Sequence, residues 1–177
     1  MPEVQTVHTA DLPASTLPAI RDLLEDVFAG DFSADDWEHA LGCVHAMVWD
    51  DGELVAHGSV VQRRIVHGGR ALRTGYVEGV GVRADRRRRG HATAVMRALE
   101  RVVRGAYVLG ALGATDEAAP LYARLGWRRW EGPTSALTPD GVRRTPDADG
   151  GVYVLPVACA LDLGGPLACD WRDGDPW

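Results

Sequence analysis

The residues most suited to binding or catalysis lie between Tyr76 and Ala92. This stretch has three parts: an apolar segment with one glutamate, an arginine-rich turn, and the start of a helical pattern. Glu78 lies in the apolar segment, where an ionised carboxylate is costly unless it is paired or hydrogen-bonded. Backbone amides in such a turn and at a helix start bind anions, and arginines add charge complementary to phosphate. The stretch therefore predicts a site for a phosphorylated cofactor next to a carboxylate that could bind a cation or a water.

Two glycines interrupt the apolar segment that carries Glu78. Glycine weakens a strand interior unless a bulge or a close backbone approach requires it, so Gly79 and Gly81 predict a local distortion of the strand. The two-residue alternation of a strand predicts that Glu78 shares a face with Tyr76, Val80 and Val82.

The rest of the chain must supply the elements that position this stretch. Apolar residues at helical spacing predict helices over residues 12–29 and 90–103, the second ended by Gly105; Ser33 predicts the cap of a third helix reaching Leu41. A further short helix is predicted over residues 118–125. Apolar and β-branched runs predict strands over residues 5–9, 44–49, 54–65, 71–82, 107–112 and 152–155, with a long loop over 133–151. Strands alternating with helices in the second half indicate an α/β fold with a mixed sheet.

Composition limits the class of protein. The 177 residues, 46% hydrophobic and 25% charged, predict a single globular domain over residues 1–177. The first residues lack a signal peptide or membrane-spanning pattern, so a cytoplasmic location is expected by default. Cys43, Cys159 and Cys169 form no C-x-x-C pair and are expected to be small core residues. The six histidines lack metal-ligand spacing, and no metal is expected.

Charge is segregated along the chain although the net charge is only -6. All nineteen basic residues are arginine, and eight of them lie between Arg83 and Arg104. Acidic residues concentrate between Asp31 and Glu38 and between Asp170 and Asp175. If the fold brings both acidic stretches to one cleft, that cleft will attract a cation while the arginines attract phosphate.

Arg87-Arg88-Arg89-Gly90-His91-Ala92 resembles the pyrophosphate-binding loop of the GNAT acetyltransferases, and it lies where that family has it, between a glycine-interrupted strand and an amphipathic helix. The segment Leu121-Tyr122-Ala123-Arg124-Leu125-Gly126-Trp127 resembles the downstream tyrosine motif of the same family. The resemblance implies a central, mostly antiparallel, splayed mixed sheet flanked by helices, with acetyl-CoA as cosubstrate. The residues that it implies for binding the cofactor are Val80, Gly81, Val82, Arg87, Arg88, Arg89, Gly90, His91 and Ala92.

Further motifs resemble the aminoglycoside 2'-N-acetyltransferases over nearly the whole chain. They are Gly30-Asp31-Phe32, Asp36-Trp37-Glu38-His39, Gly75-Tyr76-Val77-Glu78-Gly79-Val80, Gly132-Pro133-Thr134-Ser135 and the ending from Cys169 to Trp177. The implied activity is direct acetyl transfer, in a ternary complex, to the 2'-amine of an aminoglycoside, which could confer resistance. The family also implies a possible homodimer, and neither nucleic acid nor a membrane is expected as a partner.

The chemistry of acetyl transfer suggests roles for four groups. The amine must lose a proton, the acetyl carbonyl must be polarised, and the departing thiolate must be protonated. On this hypothesis Glu78 binds the substrate ammonium and removes its proton, the amide of Val80 polarises the carbonyl, and Tyr122 protonates the thiolate. The terminal carboxylate of Trp177 supplies a second acid near the amine, because the C-terminal end closes over the substrate in the resembled family.

Aminoglycosides are polycations, so acidic residues are the expected complement. The predicted substrate-binding set is Asp31, Asp36, Glu78, Gly113, Asp147, Asp149, Asp175 and Trp177. The sequence departs from the resembled family at Gly113-Ala114-Thr115 and at Asp147-Ala148-Asp149, where relatives carry serines and an unbroken acidic run.

Each of these residues has a plainer interpretation. Glu78 could form a structural ion pair with an arginine, Tyr122 could only pack against the core, and Asp31 and Asp36 could only favour helix starts. The arginine run could be a solvated or nucleic-acid-binding patch. At the level of function, the alternatives are acetylation of another cationic amine, such as a polyamine or a cell-wall amino sugar, and a non-catalytic protein that binds CoA or aminoglycoside.

Overall fold

The structure, a computed structural model, describes residues 3–177, and within this range the chain forms two compact units. The first unit runs up to Val61 and continues over Val77–Val102. The second comprises Gln62–Tyr76 and Val103–Trp177. The prediction of one domain over residues 1–177 stays a prediction.

The elements follow in this order along the chain: β1 Gln5–His8, α1 Thr16–Phe28, α2 Ala34–His39, β2 Val44–Asp50, β3 Glu53–His67, β4 Arg70–Val82, α3 His91–Ala106, β5 Leu109–Gly113, α4 Ala119–Arg124, β6 Arg128–Arg129, β7 Thr134–Thr138, β8 Gly141–Arg144, β9 Val152–Pro156 and β10 Leu167–Cys169. Short 3-10 turns cover Thr9–Asp11, Ala84–Arg86 and Pro146–Ala148. Every strand and helix predicted from the sequence is present.

The first unit contains an antiparallel meander covered by helices. β1 pairs with β2 and β2 with β3, both antiparallel. A two-residue turn joins β2 to β3, with φ of 51° at Asp51 and 81° at Gly52, positive values that are typical of an Asp-Gly hairpin turn. The apolar face of α1 packs into the core through Ile20, Leu23 and Leu24, which are at most 5% exposed.

A glycine in β3 lets α3 pack closely on the first unit's strands. A Cβ added at Gly58 would lie 2.8 Å from Val95 Cγ1 and 3.1 Å from Leu99 Cδ1. Both contacts are shorter than an ordinary van der Waals distance, so a larger residue would push α3 away. This packing fixes where the first turn of α3 lies in the unit.

The second unit mixes parallel and antiparallel strands. The parallel pairs are β4 with β5 and β7 with β10, and the antiparallel pairs are β5 and β6 with β9, β3 with β10, and β7 with β8. The pairing of β4 with β5 covers three residue pairs, from Thr74↔Leu109 to Tyr76↔Ala111. The predicted α/β class with a mixed, mostly antiparallel sheet is confirmed.

Three sequence predictions about these elements were wrong. The stretch 133–151 is not a loop, because it holds the hairpin of β7 and β8, whose residues are mostly half-buried or exposed and so lack an apolar pattern. Gly105 does not end α3, since the helix continues to Ala106. The first helix begins at Thr16 rather than near residue 12, where a 3-10 turn over Thr9–Asp11 precedes it.

Candidate active site

The arginine-rich turn uses two of its arginines to fix its own shape. Arg83 pairs with Glu53, at 2.6 Å between Nη1 and Oε2, and with Asp85 at 3.1 Å. Arg86 pairs with Asp50, at 3.3 Å between Nη1 and Oδ2. The β2–β3 hairpin therefore holds the beginning of the turn.

The remaining part of the turn is exposed and has an unusual backbone. Arg88 and Gly90 adopt φ of 61° and 84°, and residues 87–90 are all exposed. The carbonyl of Gly90 accepts the first backbone bond of α3, from the amide of Ala94 at 3.0 Å. The first amides of α3 have no partner within the helix and are therefore available to an anion, together with the exposed arginines.

His91 is the first residue of α3 and only 8% exposed. Neither ring nitrogen has a hydrogen-bond partner in the part of the chain that the structure describes. A buried polar group without a partner is costly in the folded state, and a ligand that hydrogen-bonds the ring would remove that cost. That His91 belongs to the cofactor-binding residues stays a prediction.

The predicted distortion in β4 lies at Gly79. Its φ is +54°, a value that side-chain-bearing residues rarely adopt, and it interrupts the regular alternation that would place Glu78 on one face with Val80. The backbone carbonyl of Glu78 accepts a bond from the Ser59 hydroxyl at 3.3 Å, and that of Gly79 lies 2.9 Å from His57 Nδ1. Glu78 and Val80 are half-buried, whereas Gly81 is buried.

Glu78 carries its charge close to a buried thiol. Burial raises the pKa of the Cys43 thiol, and the Glu78 carboxylate adds to that rise. Burial likewise raises the pKa of Cys159 and raises that of Cys169 to about 11. Three protonated thiols at neutral pH are poor nucleophiles, because the thiolate is the reactive form.

Tyr122 lies on α4 of the second unit and is 5% exposed. Its ring centroid lies 6.4 Å from that of Trp127 and 6.2 Å from that of Tyr153, so aromatic packing holds its orientation. Burial raises the pKa of Tyr122 to about 12. The phenol is therefore protonated at neutral pH and can act as a donor.

The C-terminal tail, residues 170–177, is fixed by one guanidinium. Arg63, itself 5% exposed, donates from Nε to Asp170 Oδ1 at 2.7 Å, from Nη2 to the Asp170 carbonyl at 2.8 Å and from Nη1 to the Pro176 carbonyl at 2.7 Å. Burial, the largest single influence, lowers the pKa of Arg63, but Asp170, Tyr76 and Cys169 together outweigh it and hold that pKa above its ordinary value. The two ends of the tail are thus tied to one point on β3.

The last residue is held by its ring and its amide. Trp177 Nε1 donates to the Thr145 hydroxyl at 2.8 Å, and its backbone amide donates to Asp175 Oδ1 at 2.9 Å. A Cβ added at Gly113 would lie 3.6 Å from the carbonyl carbon of Trp177 and 3.6 Å from the Tyr76 hydroxyl. The structure therefore brings together three predicted site residues, Gly113, Asp175 and the chain end.

The other predicted acids have different surroundings. Asp36 forms the capping box of α2, in which its carboxylate accepts from the Ser33 amide at 2.7 Å. Asp149 accepts from Arg144 and from the amide and hydroxyl of Thr134, and the Arg144 guanidinium holds the pKa of Asp149 well below its usual range. Asp31 and Asp147 are exposed. A role for these four in binding substrate stays a prediction.

Sequence reasoning missed Arg63 and the buried histidines His45 and His57. His45 and His57 lie at positions where the neighbouring residues on the same face are buried, and Arg63 lies at a buried position of β3 between half-buried Val61 and buried Ile65. A charged or titratable residue at an inward position of a strand was the available signal.

Residues 3–177 contain no group of three or more His, Cys, Asp or Glu side chains arranged to bind a metal ion. None of their helices is long and apolar enough to span a bilayer.

Comparisons with known proteins identify relatives of the whole chain. A family profile described as "Acetyltransferase (GNAT) domain" matches residues 9–130. The aminoglycoside 2'-N-acetyltransferase of Mycolicibacterium fortuitum is 53% identical over 175 residues, which cover 97% of this chain and 90% of that protein.

Solved structures agree at the level of the fold. A GNAT family N-acetyltransferase from Escherichia coli, in complex with CoA, has a TM-score of 0.66 at 17% identity and covers 94% of this chain and 88% of its own. A GNAT family acetyltransferase from Brucella melitensis, in complex with acetyl-CoA, has a TM-score of 0.64 at 15% identity and covers 98% of both chains. Some other matched structures are longer proteins, of which this chain covers 33%.

Proposed function

The chain belongs to the GNAT acetyltransferases and, among them, to the aminoglycoside 2'-N-acetyltransferase family, and from this we propose that it transfers the acetyl group of acetyl-CoA to the 2'-amine of an aminoglycoside. The observation that carries the proposal is the 53% identity to the Mycolicibacterium fortuitum enzyme over 97% of the chain. The motifs outside the cofactor loop indicate the substrate class, because acetyltransferases that act on many different amines share the loop.

In the proposed reaction, binding of acetyl-CoA uses the turn and the distorted strand of the first unit. Arg87, Arg88 and Arg89, with the first amides of α3 and the His91 ring, bind the pyrophosphate. Backbone groups of residues 80–82 hold the pantetheine arm, and the Val80 amide donates to the acetyl oxygen. That donor stabilises the negative charge which develops on the oxygen during attack.

The amine then displaces the thiolate of CoA at the thioester carbonyl. The amine nitrogen attacks the thioester carbonyl, the carbon–nitrogen bond forms, and the carbon–sulfur bond breaks. Glu78 first removes the proton that converts the substrate ammonium to a neutral amine, directly or through a water, and releases it to solvent. The nitrogen loses its second proton by the same route as it attacks, and Tyr122 donates its proton to the departing sulfur. The products are the amide and CoA thiol. The phenol then recovers a proton from solvent.

Direct transfer is favoured over an acetyl-enzyme. Residues 76–92 contain no cysteine, and the three thiols of the chain have raised pKa values. A covalent route would require one of these thiols to be deprotonated and placed at the thioester. Detection of an acetylated protein by mass spectrometry after exposure to acetyl-CoA alone would contradict direct transfer.

The testing experiment measures CoA release with acetyl-CoA and matched amines. Aminoglycosides with a 2'-amine are compared with analogues that bear a 2'-hydroxyl, and spermidine is included as a different polycation. Turnover confined to the 2'-amine compounds supports the reaction and its position. Turnover of spermidine alone would show that the substrate is a polyamine and not an aminoglycoside. Binding of acetyl-CoA without turnover of any amine would favour a non-catalytic protein.

We further propose that the enzyme acts in the cytoplasm, where acetyl-CoA is available, and can confer aminoglycoside resistance. The chain expressed in a sensitive host should raise the inhibitory concentration of 2'-amino compounds and leave that of 2'-hydroxyl analogues unchanged. A homodimer stays a prediction, which light scattering would check.

A further inference from the structure

Two fully buried histidines of the first unit form a continuous hydrogen-bonded chain that ends at the distortion in β4. His45 Nδ1 lies 3.0 Å from His57 Nε2, and both side chains are 0% exposed. His57 Nδ1 lies 2.9 Å from the Gly79 carbonyl oxygen. At the other end, His45 Nε2 lies 2.8 Å from the Thr9 hydroxyl.

The chemistry of the end group fixes the direction of every bond in this chain. A carbonyl oxygen only accepts, so His57 Nδ1 carries a proton and donates to Gly79. In a neutral imidazole the other nitrogen then accepts, so His45 Nδ1 donates to His57 Nε2. The Thr9 hydroxyl lies 2.8 Å from His45 Nε2 and 3.3 Å from the Cys43 carbonyl oxygen, and it donates to the nearer acceptor, His45 Nε2. Thr9 Oγ1 in turn accepts from the Cys43 amide at 3.1 Å.

The direction requires both imidazoles to be neutral. Burial lowers the pKa of His45 to about 4 and that of His57 to about 3. Both rings are therefore uncharged at neutral pH, as the chain requires. Because a carbonyl oxygen ends the chain, it cannot pass a proton onward; it can only orient and polarise.

The carbonyl that accepts from His57 belongs to the same peptide group as the Val80 amide. A peptide group is planar, so fixing the direction of the Gly79 C=O fixes the direction of the Val80 N–H. A hydrogen bond to the carbonyl also polarises the peptide and makes its N–H a stronger donor. Packing holds Gly79 too, since a Cβ there would lie 3.3 Å from Leu24 Cδ1.

We propose that His57, oriented by His45 and Thr9, is a positioning residue that aims and strengthens the Val80 amide as the donor to the acetyl oxygen. The inference rests on the proposed function, because it assigns that amide its role in acetyl transfer. The side chains of His57, His45 and Thr9 would support the Val80 amide, and none of the three would touch the substrate.

The first test compares His57→Asn with His57→Leu. The Asn amide nitrogen occupies the position of His57 Nδ1 and can still donate to Gly79, whereas Leu has the same shape without a donor. His57→Leu should lower kcat on the order of 10-fold to 100-fold, a part of the effect of losing one such donor entirely, with little change in the Kd of CoA. His57→Asn should recover most of the loss.

Two further variants keep the test valid if His57→Leu does not fold. Thr9→Val is nearly isosteric and removes the outermost donor together with the acceptor of the Cys43 amide, so kcat should fall about 3-fold, because polarisation weakens along the chain. Val103→Ala opens a cavity at a fully buried site elsewhere, where Val103 packs against Gly75 and Gly110, and should leave kcat unchanged.

A measurement without substrate separates this inference from the proposed function. Long-range ¹H–¹⁵N NMR spectra of the free protein should show the Nδ1–H tautomer for both His45 and His57. An Nε2–H tautomer at His57 overturns the inference, as does wild-type kcat in His57→Leu or failure of His57→Asn to recover. If the wild-type chain turns over no amine while the tautomers are as stated, the proposed function fails instead.

Discussion

Arg63 and Asp170 form an ion pair at 2.7 Å, and the same guanidinium also binds the carbonyl of Pro176. Asp170 begins the tail and Pro176 lies next to its last residue, Trp177, whose carboxylate is proposed to bind the substrate. Arg63 and Arg172 also lie over the Tyr76 ring, at 4.8 Å and 5.4 Å from Cζ to the centroid. The position of the chain end therefore depends on an arginine more than a hundred residues away in the sequence.

Replacing Arg63 with Met should release the tail. The change leaves Asp170 without its partner, which costs about 2 kcal/mol of unfolding free energy, toward the low end for broken buried pairs because the Asp170 side chain is 36% exposed. The KM for the aminoglycoside should rise about 10-fold while the Kd of CoA stays constant. Steady-state kinetics and urea unfolding check both.

Arg21→Met is the matched control for that variant. Arg21 pairs with Glu25 on the exposed surface of α1, so the change should cost no more than about 0.5 kcal/mol and leave both kinetic constants unchanged. An equal rise in KM for the control would contradict the anchoring role of Arg63.

Extending the chain beyond Trp177 should weaken substrate binding, because the carboxylate would move from its place beside Gly113. A Gly-Ser-Gly addition removes the terminal charge at Trp177 without altering any side chain. The KM for 2'-amino aminoglycosides should rise about 10-fold, the size expected for one charge-assisted contact. The same three residues added at the N-terminus should have no effect, and an unchanged KM for the C-terminal extension would exclude a role for the terminal carboxylate.

Local features of the site could be predicted from the sequence because short-range rules determine them. The distortion at Gly79 follows from glycine inside a strand, and the β2–β3 turn follows from Asp51-Gly52. The start of α3 after Gly90 follows from its apolar period and from the glycine before it. None of these requires knowledge of a distant partner.

Long-range features could not be predicted, because nothing in the sequence states which distant residues meet. Arg63 finds Asp170 across 107 residues, and β10 has only three residues, too few for a pattern. The chain from Thr9 to Gly79 joins three separate strands and a turn. Asp36 had two interpretations from sequence and Asp149 had one, and only the contacts show that the first carboxylate binds Ser33 and the second Arg144.

Tyr122→Phe should lower kcat about 100-fold through the loss of the proton donor, at constant Kd for CoA. Because burial raises the pKa of Tyr122 to about 12, the phenol keeps its proton throughout the usual assay range. Deprotonation of Tyr122 should therefore not lower the wild-type rate between pH 8 and 10. Over that range the wild-type protein and the Phe variant should have the same pH dependence. Tyr153→Phe, on the neighbouring ring, is the control and should retain full kcat.

Gly90→Ala should weaken CoA binding by distorting the pyrophosphate turn. No atom lies within 4 Å of the added Cβ, so the strain comes from φ of +84° alone and costs about 1 kcal/mol. Gly69→Ala places a similar strain, at φ of +74° and equally open space, in the β3–β4 turn. Both variants should lose similar stability, but only Gly90→Ala should raise the Kd of CoA in isothermal titration; equal Kd values would argue against this turn as the site.

Acid should destabilise the protein through its two buried histidines. Their folded pKa values, about 4 for His45 and about 3 for His57, lie below the ordinary 6.5, so the unfolded state binds more protons between those limits. Their contribution to stability is complete above pH 6.5 and is lost as pH falls. Between pH 6.5 and 5 each imidazole should remove about 2 kcal/mol from the free energy of unfolding.

Urea unfolding at a series of pH values tests this, with His57→Asn as the informative variant. Removing one of the two titrating groups should reduce the pH dependence between 6.5 and 5 by about half, while Val103→Ala, which removes no titrating group, should leave it unchanged. A wild-type stability that stays constant over this range would show that the folded imidazoles take up protons as readily as the unfolded ones, and the directed chain to Gly79 would then be lost below pH 6.5.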